Sequence, residues 1–192
     1  MKQIIEQRIA KLKEIAKRGI NPYPHKYEVT HYSAEIKDKF DELSSSGELV
    51  SVAGRVMSKR THGKASFAHT RDFKGDIQIY FKYDDLGKER YEFLEFVDIG
   101  DIIGVKGVVF KTRTGEITVR AQEYCLLTKS IRPLPEKWHG LQDVEIRYRK
   151  RWLDLLVNPR VKEIFLARGK IVKTIREFLD KRDFIEVETP IM

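Results

Sequence analysis

The spacing of apolar residues has a helical period at the start of the chain. Residues 2–18 repeat apolar side chains every three or four positions, which predicts a helix with one buried face. The repeating positions are Ile5, Ile9, Leu12 and Ala16, with Ile15 beside them. Gly19 can take the left-handed position that ends a helix, and the prolines that follow prevent continuation. A second, shorter helix is predicted around 33–43.

From Leu49 onward apolar and polar residues alternate, as they do in half-buried β-strands. Turn residues divide this region into five predicted strands, and a helical stretch around 86–96 separates the third strand from the fourth. The predicted strands lie near 49–59, 65–73, 76–83, 101–111 and 116–127. This order is typical of an OB-type barrel, which binds oligonucleotides on one face.

The composition changes again after Lys129. The sequence Arg-Pro-Leu-Pro at 132–135 cannot enter a sheet interior, so we place a domain boundary near 129–140. Apolar residues at helical spacing over 160–180 predict one long amphipathic helix, and 184–187 predict a strand that a proline ends. The predicted segments are a helical extension (1–48), a barrel (49–129), a linker (130–159) and the start of a further domain (160–192).

The charge of the chain is positive and unevenly distributed. The formal net charge of +8 favours a polyanionic partner, because Lys and Arg that contact phosphates release counterions. Residues 129–176 carry thirteen Lys or Arg against five Asp or Glu, an excess equal to that of the whole chain. The run Arg147, Arg149, Lys150 and Arg151 could contact an RNA backbone, form a solvated helix face or pair internally.

Other classes of function have little support in the sequence. The single cysteine, Cys125, permits no internal disulfide, fits a reducing compartment and is expected to be inert. Neither a signal peptide nor an apolar run of about 18 residues occurs, so we expect a cytoplasmic protein without a membrane partner. The five histidines lack metal-ligand spacing, and no nucleophile–base pair is recognisable. We therefore expect neither a metal site nor catalytic residues in this chain.

The second and third predicted strands carry the most informative residues. Gln78 has the opposite parity to Ile77 and should face outward. In the preceding strand Phe67 shares the outward face with His69 and Arg71. An exposed aromatic on an OB sheet can stack on a base, which typically contributes about 1–3 kcal/mol. The alternative is that Phe67 caps the barrel core.

Two further residues are weaker candidates. Arg60 lies at the end of the first predicted strand in a basic turn, which could hold a phosphate, stack on a base or simply be solvated. Glu116 opens the fifth predicted strand, where a carboxylate could accept a hydrogen bond from a base edge. A surface glutamate at a hairpin needs no function, so its interest depends on RNA binding being established independently.

Seven stretches reach nearly from end to end of the chain: 19–24, 52–60, 63–67, 110–116, 132–141, 147–155 and 184–190. Together they resemble the class II lysyl-tRNA synthetases. The barrel alone would also suit aspartyl or asparaginyl relatives, whereas Pro-Leu-Pro-Glu-Lys-Trp-His-Gly at 133–140 is specific to the lysine branch. The resemblance implies a mainly β fold with flanking helices. A five-stranded OB-fold anticodon-binding domain would follow an N-terminal helix and precede the start of a class II α+β catalytic domain.

The resemblance also assigns roles to individual residues. It implies that the barrel binds the uridine-rich anticodon of a lysine tRNA, with Phe67 stacking on the central base and Gln78 recognising it. Arg60 and Glu116 match flanking positions that recognise the anticodon. The tail resembles class II motif 1, whose proline, here Pro190, lies at a dimer interface, so the complete enzyme is expected to be a homodimer.

The resemblance has departures and limits. Asp183 stands where the family usually has glycine and is expected to alter the turn, and Trp152 stands where the family usually has tyrosine. The family activates lysine with ATP and transfers it to tRNA, with ATP and Mg²⁺ held by motifs 2 and 3. Those motifs are absent before Met192, so we expect tRNA recognition without a bound cofactor, and no activity of the chain alone.

Two alternatives remain open. One is a free-standing OB module that binds single-stranded nucleic acid with little anticodon preference. The other is a structural or dimerising partner in which the segment 160–192 is partly unfolded.

Overall fold

A computed structural model describes residues 2–134, 141 and 143–190 of the chain. Two compact units are present, Met1–Pro133 and Leu134–Met192. The lysine-branch segment at 133–140 lies largely outside the described residues. The finer division into extension, barrel, linker and domain start stays a prediction.

The first unit contains a closed five-stranded barrel preceded by helices. Its helices are α1 (Lys2–Lys17), α2 (Ser33–Asp38), α3 (Phe40–Ser46), α4 (Tyr83–Leu86) and α5 (Lys88–Phe93), with a 3-10 turn at Leu94–Phe96. Its strands are β1 (Leu49–His62), β2 (Ala65–Arg71), β3 (Asp76–Lys82), β4 (Ile102–Lys111) and β5 (Ile117–Thr128). The order around the barrel is β1-β2-β3-β5-β4, and only β3 and β5 pair in parallel among these described strands. The five predicted strands along the chain and the helical stretch between the third and the fourth are confirmed.

The barrel core is built from alternate residues of neighbouring strands. In β3 the side chains of Ile77, Ile79 and Phe81 are buried, whereas Gln78 is half-exposed on the outer face. Phe67 of β2 is also half-exposed, between buried inward-facing neighbours. The predicted outward direction of Gln78 is therefore confirmed, and Phe67 does not fill the core.

Glycines of β4 allow close approaches that a side chain would prevent. Gly107 lies at a bulge where β4 shifts register against β5, and a Cβ there would overlap the carbonyl oxygen of Arg120. A Cβ at Gly104 would lie 2.5 Å from the ring of Tyr27. Both glycines are needed for packing. Gly100 is in the turn before β4 and takes a φ of 101°.

Helix α1 ends as its sequence predicts but buries a different face. Gly19 has a φ of 73°, and Ile20 N–H donates to the carbonyl of Ile15 at 3.3 Å, as in a Schellman cap. Ile15 and Arg8 are the buried residues of α1, while the predicted Ile9 is exposed. The arginine can be buried because its guanidinium donates to two backbone carbonyls of the barrel unit at 2.8 and 2.9 Å.

A buried ionic cluster also connects α1 to the barrel. Lys129, whose side chain is fully buried, donates to Asp98 at 2.5 Å and to Asp101 at 2.6 Å. Lys11 of α1 pairs with Asp98 from the other side at 2.7 Å. Burial alone would raise the pKa of Asp98, but the hydrogen bonds from the two lysines outweigh it and hold that pKa below its ordinary value.

Two predicted helices are divided in the structure. The helix predicted at 33–43 is interrupted at Lys39, where α2 ends and α3 begins. The stretch predicted at 86–96 consists of three short pieces, α4, α5 and the 3-10 turn. Gly87, with a φ of 76° and a ψ of 167°, separates the first two, because this backbone conformation lies outside the helical region.

The second unit contains the helices α6 (Val144–Arg149), α7 (Arg151–Val157) and α8 (Pro159–Asp180). Asp154 of α7 is buried and accepts hydrogen bonds from Arg147 at 2.9 Å and Arg151 at 2.5 Å. Burial alone would raise the pKa of Asp154, but the hydrogen bonds from Asn158 and Arg147 outweigh it and hold that pKa below its ordinary value. The basic run therefore provides internal ion-pair partners, one of the alternatives left open by the sequence.

Asp183 lies in the turn that caps the C-terminal end of α8. Asp183 has a φ of 62°. Its N–H donates to the backbone carbonyl of Asp180 at 3.0 Å, and the N–H of Phe184 donates to the backbone carbonyl of Leu179 at 3.3 Å. These bonds form a Schellman cap in which an aspartate holds the position usually taken by glycine. The prediction of a strand at 184–187 is wrong, because these residues have no regular secondary structure. The described residues of the second unit contain no strand with which they could pair.

Of the helices in the described residues, none has the length and apolarity needed to cross a membrane.

Candidate nucleic-acid interface

Strand register places two rows of side chains across the outer face of the barrel. The first, here named the polar row, consists of the successive register partners Ser58, His69, Gln78 and Thr118 on β1, β2, β3 and β5. The second, named the aromatic row, consists of Arg60, Phe67, Tyr80 and Arg120 on the same four strands. Register partners on one face have neighbouring side chains, so each row runs without a break across the four strands. Thr118, the last member of the polar row, is buried.

The aromatic row contains a stacked pair. The rings of Phe67 and Tyr80 have centroids 4.8 Å apart and an interplanar angle of 28°. Phe110 of β4 extends the cluster, with its ring 5.9 Å from that of Tyr80. Arg120, at the far end of the row, makes two hydrogen bonds to Asp85 at 2.6 and 2.7 Å. Hydrogen bonding by Arg120 also lowers the pKa of Asp85.

The polar row is joined by hydrogen bonds that include Glu116. Gln78 Nε2 donates to Glu116 Oε2 at 2.7 Å, and Gln78 Oε1 accepts from the Thr118 hydroxyl at 2.8 Å. His69 Nε2 lies 2.8 Å from the other carboxylate oxygen of Glu116, and His69 Nδ1 lies 3.1 Å from Ser58 Oγ. Five side chains from the four strands and one turn therefore form a single network.

A cleft of about 520 Å³ opens between these rows and the β4–β5 turn. Its lining includes the predicted residues Arg60, Phe67 and Gln78 together with Tyr80 and Phe110. The cleft combines a cation, stacked aromatic faces and a side-chain amide. This combination suits single-stranded nucleic acid, which offers phosphates, flat bases and polar base edges.

The structure brings four of the predicted residues together, with two corrections of position. Arg60 lies within β1, which continues to His62, and not in a turn beyond the strand. Glu116 precedes β5, which begins at Ile117, and does not line the cleft but bonds to Gln78, which does. Pro190 belongs to the second unit, where it lies outside any described strand.

The sequence did not single out four residues of this surface: His69, Tyr80, Phe110 and Thr118. Tyr80 was detectable in principle, because it shares the outward parity of Gln78 two positions earlier. Phe110 and Thr118 were not detectable, because their place beside Gln78 depends on the pairing of β4 and β5 and of β3 and β5.

A larger cavity of about 730 Å³ lies in the same unit, lined by residues that include Tyr27, Phe93, Cys125 and Leu126. Burial raises the pKa of the Cys125 thiol. A raised pKa reduces the thiolate fraction and with it reactivity, as expected for an inert cysteine. The lining also includes the charged residues Arg18, Lys26, Glu89 and Arg90.

Two known protein families match the sequence of this chain, one of them over the barrel. Residues 50–127 match the OB-fold nucleic acid binding domain, and residues 143–192 match the tRNA synthetases class II (D, K and N). The first match covers the whole outer face described above.

Individual relatives match the chain along its length. A lysine–tRNA ligase of Carboxydothermus hydrogenoformans is 56% identical over 192 residues, which are all of this chain and 39% of that protein. The lysine–tRNA ligase of Thermoanaerobacter pseudethanolicus is 53% identical over all of this chain and 38% of its own length. That of Clostridium novyi is 50% identical over 98% of this chain and 37% of its own length.

The chain thus spans a little under two fifths of the length of these curated relatives. It combines the barrel and the start of a class II synthetase domain in the order that both matches give. The chain therefore belongs to the lysine–tRNA ligase family.

Proposed function

We propose that this chain recognises the anticodon of a lysine tRNA on behalf of a lysine–tRNA ligase. The observation that carries the proposal is the cleft in which the stacked pair of Phe67 and Tyr80 lies beside the amide of Gln78. Relatives of this chain over its whole length are lysine–tRNA ligases, which argues against a free-standing OB module.

The stacking platform explains affinity for a base without sequence preference. Every base has a flat face, and stacking on an aromatic side chain contributes about 1–3 kcal/mol per base. Both rings of the pair are half-exposed, and Phe67, which lies next to Arg60 in the row, receives the central anticodon base. Arg60, beside it in the row, supplies a cation for the adjacent phosphate or base.

The amide of Gln78 explains recognition. After its bonds to Glu116 and Thr118, it keeps one N–H donor and one carbonyl lone pair. Uracil presents a carbonyl oxygen and an N–H next to each other on its pairing edge, so this amide complements it. Glu116 completes the recognition surface at its margin.

The complete protein would join lysine to its tRNA with ATP and Mg²⁺, work as a homodimer through the segment ending at Pro190, and act in the cytoplasm. Within the described residues, no group of three or more His, Cys, Asp or Glu side chains converges. No catalytic step is assigned to these residues.

Binding of anticodon stem-loop RNA tests the proposal. The 192-residue chain should bind a stem-loop with a uridine-rich anticodon more tightly than the same RNA with its central uridine replaced by cytidine. Each mismatched recognition contact typically costs about 1–3 kcal/mol. Equal affinities would instead favour an OB module without anticodon preference.

Variants separate recognition from general binding. Gln78→Ala should reduce the preference for the central uridine more than it reduces total affinity. Gln122→Ala is a matched control, because this glutamine is exposed on β5 and does not line the cleft. Equal losses by Gln78→Ala for both RNAs would contradict direct recognition by the amide.

A further inference from the structure

The carboxylate of Glu116 is engaged by the protein on both oxygens. His69 Nε2 lies 2.8 Å from Oε1, and Gln78 Nε2 lies 2.7 Å from Oε2. An ionised carboxylate only accepts hydrogen bonds, so both facing nitrogens must carry a proton toward it. In this arrangement Glu116 accepts hydrogen bonds from the side chains of His69 and Gln78.

This engagement determines which way the Gln78 amide points. The hydroxyl of Thr118 on the other side can donate or accept, so it would tolerate either amide orientation. Glu116 does not: a flipped amide would place its carbonyl oxygen against a carboxylate and lose a charge-assisted bond. The orientation with Nε2 toward Glu116 is therefore imposed by this one carboxylate.

His69 in turn holds the carboxylate. Because Nε2 donates to Glu116, the neutral ring has Nδ1 available as an acceptor, and the Ser58 hydroxyl lies 3.1 Å from it. His69 is also the register partner of both Ser58 on β1 and Gln78 on β3. The imidazole thus meets Ser58 on β1 with one nitrogen and Glu116 in the β4–β5 turn with the other.

The direction of the amide has a chemical consequence for pyrimidines. Uracil and cytosine have nearly the same shape, but uracil offers a carbonyl acceptor and an N–H donor where cytosine offers an amino donor and a ring acceptor. A base whose plane is held by Phe67 meets the amide in a defined direction. One amide orientation then suits uracil, and the opposite orientation suits cytosine.

We propose that His69 is a positioning residue that holds Glu116, which fixes the Gln78 amide, and that this relay makes the surface select uridine over cytidine. The inference rests on the proposed anticodon recognition and adds a specificity-determining residue to it. In this relay Glu116 acts on the central base by orienting Gln78.

The test uses two His69 variants of the full chain. His69→Leu removes the donor to Glu116, whereas His69→Gln can present a side-chain N–H in its place. His25→Leu is the matched control, because this histidine is exposed in the connector after α1. His69→Leu should lower the ratio of affinities for the central-uridine and central-cytidine stem-loops by about tenfold, one good base contact. His69→Gln should restore most of that ratio.

A readout without RNA follows the relay itself. The side-chain amide protons of Gln78, assigned by their loss in Gln78→Ala, should shift in ¹⁵N–¹H spectra of His69→Leu and return toward their original position in His69→Gln. Glu116→Gln is a second variant, because its neutral amide can face Gln78 with either group. It should also move these resonances and reduce the affinity ratio.

The outcomes distinguish this inference from the proposed function. If the unmodified chain does not prefer uridine, anticodon recognition fails, and the selection assigned to the relay fails with it. If the chain prefers uridine but His69→Leu changes neither the ratio nor the Gln78 resonances, only the relay is overturned. An equal loss of ratio in His69→Leu and His69→Gln, with unmoved Gln78 resonances, also overturns it.

Discussion

Phe67 stacks on Tyr80, its register partner on the next strand, with ring centroids 4.8 Å apart and ring planes inclined by 28°. A ring supported on one face has its orientation set before RNA arrives. Binding then costs less side-chain ordering than it would for a mobile ring. We therefore expect substitution of Phe67 and substitution of Tyr80 to reduce RNA affinity by different amounts.

Phe67→Ala should weaken binding of a uridine-rich anticodon stem-loop by about 1–3 kcal/mol, because it removes the stacking surface. Tyr80→Ala should cost about 1 kcal/mol, since it removes only the support of an aromatic pair. Titration of labelled RNA measures both. Phe178→Ala, at an exposed phenylalanine of α8, is the control and should bind normally. Unchanged affinity in Phe67→Ala would exclude the stacking role.

Lys129→Met should lower the free energy of unfolding by about 3–5 kcal/mol, because removing one partner of a buried ion pair leaves uncompensated charge. Lys129 is fully buried between Asp98 and Asp101. Lys11→Met should cost less, because the side chain of Lys11 is 34% exposed and its bond is screened by water. Urea unfolding monitored on the whole chain compares them. Equal losses would show that burial does not set the energy of this cluster.

The same cluster predicts how stability depends on acid. The pKa of Asp98 is below its ordinary value in the folded chain, so its contribution is present above the unfolded pKa of about 3.9. That contribution is lost as the pH falls through the lower, folded pKa. In Lys129→Met the pKa of Asp98 should rise, and acid unfolding should begin at a higher pH. A pH series of thermal unfolding would show this shift, and superimposable curves would argue against it.

Gly107→Ala should destabilise the barrel by about 3 kcal/mol, because its Cβ would overlap the backbone of Arg120 at the bulge. Gly169→Ala is a matched control on α8, where a Cβ meets no atom within 4 Å. There the change should stabilise the helix by about 0.5–1 kcal/mol, since alanine loses less entropy than glycine. Thermal unfolding of the two variants should move in opposite directions, and a neutral Gly107→Ala would contradict the close approach.

Asp183 provides a test of strain at the end of α8. Asp183→Gly should stabilise the cap slightly, while Asp183→Ala should destabilise it by about 1 kcal/mol, because a Cβ without a local polar partner disfavours the left-handed backbone. Hydrogen exchange at the Phe184 amide, which is bonded to Leu179, reports on the cap. Equal protection in the two variants would show that the left-handed backbone carries no cost.

Local patterns in the sequence determined the kinds of elements and their order. Alternation placed Gln78 and Phe67 on the outer face, because successive strand residues point to opposite sides. Gly19 predicted the end of α1 through its left-handed conformation. The spacing of apolar residues also predicted the long helix α8. The strand predicted at Phe184 to Val187 is not formed, since a strand also requires a partner.

Only the tertiary structure decided which outward residues meet. Thr118 lies beside Gln78 because β5 pairs in parallel with β3, across forty positions of sequence. His69 reaches Glu116 through a turn between β4 and β5 that no local pattern aims at β2. Strand register and barrel closure are cooperative properties of the whole core, so the recognition network exists only once the barrel has formed.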